Sequence, residues 1–124
     1  MKISDFNELE NDEVNSSYLR KAVYGESLSL AKVEVKQGET TQSHSHDTEE
    51  MVFVLSGEWL FRFPDGDVVV KENQMLTIPA GVEHSSMVLE DVVALDICAK
   101  RRPDWISGQD KALHTNPEQT LWGV

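Results

Sequence analysis

Apolar and polar residues alternate in short runs along most of the chain, a period of two that predicts strands rather than helices. Tyr18 to Tyr24 reads as a strand, Gly25-Glu26 as a turn, and Leu28 to Lys36 as a second strand. In that second strand Leu28, Leu30 and Lys32 alternate with Ser29, Ala31, Val33 and Val35, so the pair predicts a hairpin. Gln37-Gly38-Glu39 is the next turn. Met51 to Leu55 is apolar on both parities: Val52 and Val54 share the parity of Glu50, while Met51, Phe53 and Leu55 point the other way. Both faces of that strand need cover, from a barrel interior on one side and a second layer or a partner subunit on the other.

Gly57 is expected to turn the chain into a separate strand, Glu58 to Phe63. Pro64-Asp65-Gly66 then supplies a hairpin turn with Pro and Gly in their favoured roles. A Val-rich strand, Asp67 to Lys71, returns. Glu72-Asn73 is a further turn, since Asn tolerates positive φ. Met75 to Ile78 is short and apolar, and Pro79-Ala80-Gly81 bends the chain ahead of His84. Val92 to Cys98 is the last clear strand, with Val93, Leu95 and Ile97 on one face and Ala94, Asp96 and Cys98 on the other. Many short strands separated by turns predict an all-β antiparallel sandwich or barrel.

Three segments follow from this pattern. Residues 1–17 form an acidic, irregular lead-in with Ile3, Phe6 and Leu9 as anchors, and residues 18–99 form the barrel. Residues 100–124 form a tail packed on it through Trp105, Ile106, Leu113, Leu121 and Trp122, with one short helix around Gly108 to His114. A length of 124 residues allows one small domain with a modest core.

Charge and cysteine usage narrow the setting. The formal net charge of -11 repels phosphates, which argues against nucleic-acid or anionic-membrane partners. Cys98 is the single cysteine, so an intrachain disulfide is impossible and a reducing, cytoplasmic setting is expected. The start, MKISDFNELENDEV, lacks a continuous apolar region of the signal-peptide kind, and no apolar run is long enough to span a bilayer.

The candidate chemistry lies in Gly38 to Gly57, GETTQSHSHDTEEMVFVLSG. His44 and His46 are two apart and share one strand face, and Glu50 keeps that parity where the apolar run begins. A carboxylate opening a Val/Phe-rich strand is costly to bury unless it meets a cation. IPAGVEH, Ile78 to His84, brings another histidine after a Pro-x-Gly bend. Imidazole nitrogen with one carboxylate suits a first-row divalent ion such as iron, manganese, nickel, cobalt or zinc, and the lack of thiolate disfavours a closed structural zinc site. Solvated loop histidines explain His44-x-His46 alone, but not the set with Glu50 and His84. On the last strand, Asp96 between the small residues Ala94 and Cys98 either looks into the barrel near such a metal or sits on a solvent-facing edge. Cys98 reads as a small buried hydrophobe, Lys100 as part of a solvated strand end, and His114 as a surface residue.

These residues resemble a known superfamily. Gly38, His44-x-His46, Glu50 and Gly57 match the first cupin motif in spacing, and Asn73, Pro79-x-Gly81 and His84 resemble the second. Asn73 stands where that motif has glycine, and Val88 where it has asparagine. The resemblance spans roughly Val35 to Cys98. It implies a double-stranded β-helix, the cupin jelly-roll barrel, holding one divalent transition metal on His44, His46, Glu50 and His84. LDICAKRRPDW, Leu95 to Trp105, is similar to the last strand of the small cupins of pectin and alginate degradation that linearise unsaturated uronates. That likeness implies catalytic roles for Asp96, in proton transfer, and Arg102, in binding the substrate carboxylate; Cys98 replaces an aromatic residue, and Glu50 stands where that group can carry an amide. The expected function is therefore a metal-dependent enzyme acting on a small oxygen-rich anion, as a homodimer. The alternatives are an Fe(II) cupin dioxygenase and a non-catalytic ligand-binding or sensing module.

Overall fold

The computed structural model describes residues 1–99 and 102–117. Its strands are β1 (Asp12–Asn15), β2 (Tyr18–Tyr24), β3 (Ser29–Val35), β4 (Thr40–His44), β5 (Glu50–Phe63), β6 (Gly66–Lys71), β7 (Met75–Ile78), β8 (His84–Cys98) and β9 (His114–Thr115). A short helix α1 (Pro103–Ser107) and a 3-10 turn, Gln109–Leu113, lie between β8 and β9. All pairings are antiparallel, in the order β1-β2-β3-β8-β4-β9, with β5 joining β6, β7 and β8, so the sheet wraps into a nearly closed barrel. Among the described residues no helix is long and apolar enough to cross a membrane.

β8 is the strand that closes the barrel. One edge pairs with β5 along nearly its whole length, from Glu50↔Cys98 to Arg62↔Ser85. Its other edge is shared, by β4 near His84 and by β3 from Val92 to Cys98. Drawn straight, the stretch from His84 to Asp96 would run roughly 40 Å. Both side chains nevertheless reach Glu50, so β8 must curl. The β5–β8 ladder shifts register between Val54 and Trp59, where bulges supply the bend. Val52 and Val54 face inward before the shift, and Trp59 and Phe61 after it, so the inward parity changes from even to odd.

Gly57 sits at that shift with φ 89°. It does not turn the chain into a separate strand as expected; β5 runs unbroken through it. A Cβ at this position would lie 2.1 Å from the Asp91 carbonyl oxygen, where backbone meets backbone and neither yields cheaply. Gly57→Ala should therefore cost on the order of 3 kcal/mol. Gly66→Ala, also at positive φ but with nothing within 4 Å of the added carbon, should cost on the order of 1 kcal/mol. Urea unfolding midpoints of the two variants give the comparison.

Other departures have equally local causes. The lead-in is not wholly irregular: Asp12–Asn15 forms β1 against β2 and buries Val14, whereas Ile3 is 92% exposed and anchors nothing. His84 to Cys98 is one strand, longer than the Val92 to Cys98 expected from the sequence. The short helix expected around Gly108 to His114 is the 3-10 turn Gln109–Leu113, and α1 precedes it, with Gly108 (φ 79°) ending the one and starting the other. Trp105 is buried as expected, but Ile106 is exposed. Asn73 adopts φ 67°, as its turn requires. Lys100, Arg101, Leu121 and Trp122 lie outside the described residues.

Candidate metal centre

β4 and the loop after it supply His44 and His46, β5 begins with Glu50, and β8 begins with His84, cross-strand partner of His44. One ligand atom from each of the three histidines lies within 4.8 Å of the others. Each ring uses Nδ1 in the same way, against a backbone carbonyl two residues away: Gln42 at 2.8 Å from His44, Thr48 at 3.0 Å from His46, and Val82 at 2.9 Å from His84. A carbonyl only accepts, so Nδ1 must hold the hydrogen and Nε2 is left with its lone pair.

Those lone pairs meet an acceptor. Glu50 Oε1 lies 3.2 Å from His46 Nε2 and 3.6 Å from His84 Nε2, in a site where Glu50 is only 7% exposed. Lone pairs facing a carboxylate this closely require a cation between them, either a proton or a metal. Donors each ~2.1 Å from one ion sit about 3.0–3.4 Å apart; the 3.2 Å contact is in that range, and the 3.6 Å contact and the histidine separations, within 4.8 Å, close on a shared ion by small side-chain shifts. Without one, the pKa values carry the strain. Burial lowers His44, while Glu50 raises His46. Burial alone would push Glu50 up, but hydrogen bonds from His46, His84 and Asp96 outweigh it and hold Glu50 well below the usual carboxylate range.

Asp96 faces inward, 8% exposed, and not toward a solvent edge. Burial, then the neighbouring Glu50 charge, pushes its pKa well above the usual range. Glu50, Asp96 and Cys98 also converge within 4.8 Å. Cys98 is buried as expected; burial, then Asp96 and Glu50, pushes its thiol up, which disfavours the thiolate a metal would need.

Arg102 is buried and stacks on Trp105 at 4.6 Å. Its fork is already engaged, with Nε 2.8 Å and Nη2 2.6 Å from the two Asp104 oxygens. Nη1 donates to Cys98 Sγ at 3.1 Å and lies 3.9 Å from Glu50 Oε2. Nε and Nη2 are therefore not free to form a bidentate fork toward a second carboxylate.

The cavity at this site also has walls that the sequence did not reveal. Tyr18, Thr41, Asp110 and His114 line it together with His44, Glu50, His84 and Asp96. His114 is no surface residue, since its side chain is 10% exposed. It packs on Tyr18 and reaches both Thr41 and Asp110. Arg20, 1% exposed, holds Asp110 at 2.6 Å and Asp12 at 2.7 Å. One signal for this network is present in the sequence: Arg20 falls on the inward parity of its strand between Tyr18 and Ala22, a place where a cation needs a partner. The free space is small, ≈ 40 Å³, enough for an ion and a little water.

The family model of the cupin domain matches residues 31–98. The chain belongs to the cupin superfamily. The cupin resembles KdgF from Halomonas sp. with a TM-score of 0.73 at 20% identity, over 79% of this chain and 94% of that one. A second likeness is to ectoine synthase from P. lautus, TM-score 0.76 at 14% identity, over 93% and 88% of the two chains. Likenesses at these identities show the fold alone. In sequence, the cupin is 46% identical over 48 residues to acireductone dioxygenase from Nostoc sp., a match covering 35% of this chain. It spans 26% of that relative's length. The cupin thus carries the family's barrel with a cluster able to hold a metal.

Proposed function

We propose that the protein is a metal-dependent enzyme acting on a small oxygen-rich anion, most concretely one that linearises an unsaturated uronate, with His44, His46, Glu50 and His84 holding one divalent ion. The observation that carries this reading is the placement of Asp96. It is buried, next to the putting-together of imidazoles and Glu50, and on the wall of the same cavity. When bound, a divalent ion would act as a Lewis acid toward ligand oxygens.

Ring opening breaks the bond between the anomeric carbon and the ring oxygen. It takes one proton from the anomeric hydroxyl and returns one to the enolate left behind, so the composition is unchanged. Asp96 is the group suited to move that proton. Arg102 Nη1 offers a charged donor to the substrate carboxylate. The free space is smaller than a sugar acid, so binding requires side chains around the cavity to rearrange. On the outside, Leu55, Val68 and Met75 are 38%, 38% and 44% exposed; a second copy covering this face is part of the reading, as is a cytoplasmic setting.

The test is turnover of the metal-loaded protein on unsaturated galacturonate and guluronate, beside Asp96→Asn. The variant should keep its metal and lose about 100-fold or more in kcat. Full turnover in the variant would remove Asp96 as the proton carrier. A second reading, oxygen-dependent cleavage by an iron-loaded form, is favoured by the matched stretch of acireductone dioxygenase. Oxygen uptake with a diketone or enediol, and none of the isomerisation, would select it.

A further inference from the structure

The wall of the cavity formed by Thr41, Asp110 and His114 has its own hydrogen-bond logic. Asp110 is 4% exposed and ionised, its pKa brought to about 2: burial opposes this, but hydrogen bonds from His114 and Arg20 outweigh it. It accepts Arg20 Nη1 at 2.6 Å and Nη2 at 3.2 Å, and faces His114 Nε2 at 3.3 Å. An ionised carboxylate only accepts, so in the neutral His114 ring the hydrogen belongs on Nε2. Nδ1 is then an acceptor, and Thr41 Oγ1, 2.9 Å away, must donate to it. The Thr41 hydrogen is therefore committed, and what Thr41 offers the cavity is lone pairs.

Charge at this end is internally matched. Asp12 and Asp110 are paired with Arg20 and Lys111, the latter 2.7 Å from Asp12. Tyr18, tilted against His114 with ring centroids 4.7 Å apart, stays neutral because burial, then Asp96, pushes its hydroxyl well up. Such a wall carries no net charge to draw an anionic group, whereas a hydroxyl finds an oriented acceptor on Thr41.

We infer that the Thr41–His114–Asp110 relay is a specificity-determining subsite for a ligand hydroxyl, which orients an anionic ligand with its carboxylate on Arg102 Nη1, beside the histidine cluster, and its hydroxyl-bearing end on Thr41. This rests on the reading of the site as one for an oxygen-rich anion. Thr41 is the contacting residue; His114 and Asp110 are positioning residues that fix which way its hydroxyl points.

Erythronate and α-hydroxybutyrate serve as probes, because they share a carbon skeleton and an α-hydroxy acid head and differ only in the distal hydroxyls. Calorimetric titration of the manganese-loaded protein should show tighter binding of erythronate. Thr41→Val, which keeps the shape, should weaken erythronate about tenfold and leave α-hydroxybutyrate unchanged. His114→Phe keeps a ring on Tyr18 and should lower the preference as well. The double variant should lose no more than Thr41→Val alone, a coupling that a merely structural role would not produce. Equal binding of the two acids by the unsubstituted protein, or loss of both alike in Thr41→Val, would overturn the subsite while leaving the anion reading standing. Binding of neither acid would overturn the anion reading, and the subsite with it.

Discussion

Replacing His84 by alanine is expected to reduce divalent-metal affinity by about 100-fold or more, so that purified protein carries far less than one ion per chain. The ring is 4% exposed, fixed through Nδ1 to the Val82 carbonyl, and 3.6 Å from Glu50 Oε1. Its removal also leaves Glu50 buried with one fewer hydrogen-bond partner. His44→Ala should act in the same direction. Elemental analysis after dialysis checks both, with far-UV circular dichroism to show that the barrel persists. Stoichiometric metal in both variants would remove the four-residue assignment.

The second large effect concerns stability. Arg20→Ala should lower the unfolding free energy by about 3–5 kcal/mol, because it leaves the carboxylate of Asp110 buried without its charge partner. Arg20 is 1% exposed, bonds Asp110 and Asp12, and lies 5.4 Å over the Trp105 ring, so it ties β2 to the segment after β8. At this chain length such a loss corresponds to a fall in Tm of about 10–20 °C. Arg62 provides the contrast. Its pair with Asp67 spans 3.6 Å with side chains 63% and 51% exposed, and Arg62→Ala should change stability by less than about 1 kcal/mol. Scanning calorimetry of the two variants separates a buried network from a solvated pair. Similar Tm values for both would show that Arg20 is dispensable.

How far the site could be read beforehand depended on whether a residue's neighbours were local or distant. His44, His46 and Glu50 declare themselves because they lie on one short stretch at strand spacing, and His84 because a Pro-x-Gly bend precedes it. Inward orientation of Asp96 was undecided from pattern alone, since alternation gives two faces without saying which is the core; pairing of β8 with both β3 and β5 decides it. Gly57 was misread for a related reason. A glycine between two apolar runs looks like a turn, and only the approach of Asp91 from a strand more than thirty residues away makes it a bulge. His114 was misplaced because its partners, Thr41 and Tyr18, are far along the chain. Arg102 lines the cavity, but the preference of its fork for Asp104 over an open site depends on a helix start no motif encodes.

Among the described residues two groups of side chains could take an ion: the three histidines, with Glu50 beside His46 and His84, or Glu50 with Asp96 and Cys98. X-ray absorption of the zinc-loaded protein separates them directly. A shell of nitrogen and oxygen at about 2.0–2.1 Å with imidazole multiple scattering and no sulfur is the expected result. A sulfur scatterer at about 2.3 Å would place the ion on Cys98 and contradict the histidine centre.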